Sequence, residues 1–95
     1  MADADVRVLL ELGASETEVR AFEKVLRKFN PRQTSFIVSK LRILLGMERE
    51  LGKEADHILR CASFMLQEND FPHVEKTLEK WIDRREKELG TLSKV

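Results

Sequence analysis

Tyrosine is absent from the 95 residues, aromatic side chains make up 6% of them, and proline occurs twice. A chain so short of aromatics and so well supplied with Leu, Ile and Val favours helices over strands. Cysteine occurs once, at Cys61, so no internal disulfide can form and nothing asks for an oxidising compartment. No apolar run approaches the roughly 18 residues of a membrane span. The opening "MADADV" lacks the basic start and apolar core of a secretory leader. An intracellular setting, cytoplasmic or nuclear, is the expectation.

Catalytic signatures are missing as well. The four glycines do not cluster, so there is no glycine-rich phosphate loop, and no strand-turn-helix setting exists for a nucleophile. His57 and Cys61 would share a helix face and could supply two metal ligands or a Cys-His pair. A metal site needs three or four ligands, however, and no comparable second pair exists; His73 is isolated. A partly exposed histidine beside an ordinary small hydrophobe is the preferred reading. Carboxylates in "EKTLEKWIDRREKE" are interleaved with Lys and Arg, as on a solvated helix with pairs such as Asp83 and Lys87. Trp81 falls within an apolar stripe and reads as core. No enzyme activity, metal or cofactor is expected.

What the chain does have is an uneven distribution of charge. The formal net charge is zero. Residues 1–19 nevertheless carry five acids against one base, and residues 20–42 carry seven bases against Glu23 alone. The remainder is mildly acidic, so a basic middle lies between acidic flanks.

Chain punctuation divides this single domain, residues 1–95, into five helices of an all-α compact bundle. The first, about 3–12, has acidic residues at its start and Gly13 past its end. The second, about 15–29, opens on the capping-box pattern "SETE", with Val19, Phe22, Val25, Leu26 and Phe29 at helical spacing, and ends at Asn30-Pro31. The third, about 35–45, stops at Gly46. The fourth, about 53–67, carries a stripe of Ala55, Ile58, Leu59, Ala62, Met65 and Leu66, from which Phe64 departs. The fifth, about 71–89, is capped by Asn69 or Asp70, accommodates Pro72 in its first turn, and stops at Gly90.

The third helix has more apolar surface than a bundle face needs. Wound at about 100° per residue, Phe36, Ile37, Val38, Leu41, Ile43, Leu44 and Leu45 cover roughly 220°, about twice the usual stripe. Burial on several sides inside the bundle would account for it. The alternative is that one side packs in the core while another lines a groove for an amphipathic partner helix, with basic rim charges selecting an acidic partner.

The stretch "EVRAFEKVLRKFN…FIVSKLRILL", Glu18 to Leu45, resembles the harmonin-N-like, or harmonin-homology, domain. Val38, Leu41, Arg42, Leu44 and Leu45 fit, with a one-residue adjustment, its helix of the form apolar-apolar-x-x-Leu-basic-x-Leu-apolar. "HILRCASFML", His57 to Leu66, is similar to the fourth helix of those domains, so the likeness covers about residues 18–66. The resemblance implies a five-helix bundle without enzymatic activity. It also implies a scaffold or adaptor role, in which a hydrophobic groove holds helical segments of partner proteins.

These readings converge on a partner-binding groove of Phe36, Ile37, Leu41, Leu44 and Phe64, with Lys40 and Arg42 as rim charges and an acidic amphipathic helix as the partner. Two alternatives stand beside it. One is a nucleic-acid-binding module using Arg20, Lys24, Arg27, Lys28 and Arg32. The other is a homodimer that buries the surplus apolar surface.

Overall fold

Leu9, Phe22, Leu41, Leu59 and Leu78, fully buried and drawn from five different helices, meet in one core. The structure is a computed structural model that describes residues 6–93. Among these residues the helices are α1 Val8–Glu11, α2 Glu16–Leu26, α3 Pro31–Glu50, α4 Ala55–Leu66 and α5 Phe71–Ser93, with no strand. The all-α bundle expected from composition is what forms. The expected start of the first helix, at residues 3–5, lies outside the described residues.

The boundaries of α3 differ most from expectation, and both differences have local causes. Asn30-Pro31 begins this helix as well as separating it from α2. Asn30 Oδ1 accepts from Gln33 N at 2.8 Å, and Gln33 Oε1 accepts from Asn30 N at 3.3 Å, a complete capping box. Pro31 fits the first position because an amide there would have no helical acceptor. At the other end Gly46 does not break the helix, which continues to Glu50. The stop is Gly52, whose φ of 75° is left-handed. There Lys53 N donates to Glu48 O at 2.8 Å and Gly52 N to Arg49 O at 3.1 Å, a Schellman closure. Gly13, at φ 102°, closes α1 in the same way.

Other ends are settled by side chains. Ser15 Oγ accepts from Glu18 N at 3.3 Å, but the reciprocal half of the expected box is absent. Ser15 N donates instead to Asp56 Oδ1 of α4 at 2.7 Å, while the Glu18 carboxylate goes to Arg60. Asp70, rather than Asn69, caps α5 by accepting from His73 N at 3.2 Å. Gly90 does not end α5, which continues to Ser93.

In the bundle α3 packs chiefly on α5, with α4 and α1 also against it, and α2 packs chiefly on α4. At about 30 Å, α3 is long enough to meet three neighbours. Trp81 is half-buried and packs against the core. No helix among the described residues is long and apolar enough to cross a membrane.

Candidate docking face on the third helix

Most of the apolar arc of α3 is consumed by its neighbours. Ile37, Leu41, Leu44 and Leu45 have no exposed surface, and Val38 is buried with them. This corrects the expected groove. Ile37, Leu41 and Leu44 are core residues that no partner can touch without opening the bundle. Phe36 is half-buried, with its ring 5.7 Å from that of Phe71 in an edge-on arrangement. Lys40 lies over that ring, its Nζ 5.3 Å from the centroid, so it covers Phe36 instead of standing at a rim.

Ile43 is the exception. It is 48% exposed in the middle of α3, beside exposed Ser39 and Arg42. Together with Val8, Glu11 and Leu12 of the α1 segment, these three residues line an open furrow of about 490 Å³. On the helical wheel Ser39, Ile43 and Gly46 fall within about 60° of one another. A Cβ built on Gly46 would meet nothing within 4 Å, so the surface beside Ile43 is open.

Around this face three arginines stand against two acids, one of which, Glu11, lines the furrow beside Arg42. Arg32, Arg42 and Arg49 are exposed along α3 and have no ion pair among the described residues. Arg49 Nη1 reaches the carbonyl of Glu11 at 3.5 Å, which places it at the C-terminal end of α1. Glu50 and Glu11 are the acids nearby in the sequence of these elements.

Phe64, expected in the same groove, is elsewhere. It is 69% exposed on α4 and is not part of the furrow lining. Of the residues expected in the groove and at its rim, only Arg42 is brought to the open face of α3. Val8, Leu12 and Ser39 were not anticipated, because nothing in the local sequence says that α1 crosses at that point. Ile43 could have been found: it sits about 160° around the wheel from Leu41, at the limit of the apolar arc.

The basic residues Arg20, Lys24, Arg27, Lys28 and Arg32 are all exposed. Arg20 is paired with Glu16 at 3.7 Å across a solvated turn. His57 is exposed and Cys61 half-buried, and no group of three metal-ligating side chains exists among the described residues. Glu18 holds Arg60 through contacts of 2.7 and 3.1 Å, and that hydrogen bonding, with the charge of Glu18, raises the guanidinium above its ordinary pKa. The pair fixes α2 against α4. The chain matches no family model, no curated protein and no solved structure.

Proposed function

We propose that the domain is a non-catalytic interaction module that holds an amphipathic, acidic helix of a partner protein against the open face of α3. The observation that carries this reading is Ile43, a large aliphatic residue left 48% exposed within a helix whose other central apolar residues are sealed. The resemblance to harmonin-N-like domains supports the same mode of action. An aliphatic residue of the partner covers Ile43, Val8 and Leu12, while Ser39 and Gly46 let its backbone come close. Carboxylates on its flanks meet Arg42 and Arg49.

Covering the exposed half of one isoleucine contributes only about 1 kcal/mol. The interaction is therefore a weak, reversible one, steered by charge. A second copy of the chain is a poorer occupant, because a two-fold interface on this face would set Arg42 and Arg49 against their own copies.

The test is a fluorescence-anisotropy titration with a labelled Leu/Glu amphipathic peptide helix and its Leu/Lys counterpart. The wild-type domain takes the Glu peptide, Ile43→Asp loses it at unchanged thermal midpoint, and Arg42→Glu with Arg49→Glu reverses the preference to the Lys peptide. Equal binding by wild type and Ile43→Asp, or unfolding of the latter, contradicts the assignment.

A further inference from the structure

Full apolar burial along α5 is confined to its first two turns. Val74 and Leu78 have no exposed surface, whereas none of the described residues after Leu78 is fully buried. Trp81 and Ile82 lie half-buried against the core, and Arg85, Glu88 and Leu89 are half-buried on the turns beyond. The ring of Phe71 faces that of Phe36, and Arg85 bonds to Glu48, so α5 runs parallel to α3. Its first part is thus set in the core beside the start of α3. Its second part is fastened to the end of α3 by charge, through Arg85 to Glu48 and through Glu88 to Lys53 at 3.4 Å in the turn that follows.

We infer that α5 is a two-part strap: residues 71–78 belong to the core, and residues 82–91 lift from α3 as one unit while the rest of the bundle stays folded. The two parts differ in what opening costs. Raising Val74 and Leu78 empties the core and cannot be separated from global unfolding. Raising the later turns gives Glu48 and Arg85 back their hydration, whose loss offsets much of the attraction between a buried pair. The Lys53–Glu88 pair, already largely in solvent, resists little. What holds the second part down is therefore the partial burial of Trp81, Ile82 and Leu89, less than the core demands. Both cross-links reach the same end of α3, so they release together, unlike the residue-by-residue fraying of a free helix end. The opened form uncovers Glu48, which is 1% exposed when the strap is closed. On the α3 wheel Ile43 lies about 140° from Glu48, so this motion is independent of the docking face.

The test is native-state hydrogen exchange of the domain, read amide by amide under conditions where the rate reports the opening equilibrium. In the wild type, amides 82–89 share one level of protection, at least about tenfold below that of amides 75–78. Val19→Ala, in the core of α2, speeds exchange at 75–78 and leaves 82–89 unchanged, because Val19 stays buried when only the strap opens. Glu48→Ala speeds both groups about tenfold or more, since the pair is lost in either opening. Glu48→Leu with Arg85→Met, which keeps the strap closed by packing, returns both groups to within a few-fold of the wild-type rates. Equal protection of the two groups overturns the proposal, as does a graded loss of protection from Ile82 to Leu89. Acceleration of 82–89 by Val19→Ala, or indifference of 82–89 to Glu48→Ala, overturns it as well.

Discussion

Arg85 Nε lies 2.5 Å from Oε1 of Glu48, joining the C-terminal half of α3 to that of α5. Glu48 is 1% exposed, the one charged residue in the core among the described residues. A second carboxylate, Glu88, stands 3.9 Å from the same nitrogen and pairs through its other oxygen with Lys53 at 3.4 Å. Two α5 charges and two from the end of α3 and its following turn thereby form one clasp.

Removing one member of that clasp leaves a buried charge without its partner. Glu48→Ala is expected to destabilise the domain by about 3 kcal/mol in urea denaturation. Glu48→Leu combined with Arg85→Met restores most of the loss, because a buried ion pair replaced by packed apolar groups is close to neutral. The double-mutant cycle therefore shows strong coupling; additive losses would mean that the pair contributes little to holding α5.

Two glycines six residues apart give opposite responses to the same substitution. Gly46 has helical neighbours on both sides and open space at its Cβ, so Gly46→Ala stabilises by about 0.5–1 kcal/mol. Gly52 is left-handed at φ 75°, so Gly52→Ala destabilises by about 1 kcal/mol. Thermal midpoints of the two variants, measured side by side, decide whether α3 runs through Gly46 to a stop at Gly52.

The two phenylalanines of α2 and α4 differ equally clearly. Phe22 has no exposed surface, and Phe22→Ala costs about 3–5 kcal/mol. Phe64→Ser changes stability by no more than about 0.5 kcal/mol, since the ring is mostly in solvent. A large loss in Phe64→Ser would place that ring in the core.

The existence and order of the helices were legible because apolar spacing and caps are local signals. The end of one helix and the start of the next were harder to separate at Asn30-Pro31, where proline is compatible with both. Gly46 read as a stop because glycine weakens a helix, yet the burial of Leu44, Leu45 and Glu48 around it carries the helix through. The partner of Glu48 is 37 positions away, beyond the reach of any helical periodicity. The apolar arc of α3 was visible, but which part its neighbours cover depends on how α1, α4 and α5 cross it. That is why Leu41 and Leu44 are core while Ile43 is open. Phe64 was legible as exposed, being off its own stripe.

The most direct measurement of the docking claim is an amide chemical-shift map of the isotope-labelled domain titrated with the Leu/Glu amphipathic helix. The account predicts shifts centred on Ser39, Arg42, Ile43 and Gly46 and on Val8 and Leu12 across the furrow, with Trp81 and Phe64 unaffected. No saturable shifts, or shifts centred on another face while those of α3 stay unchanged, would contradict it.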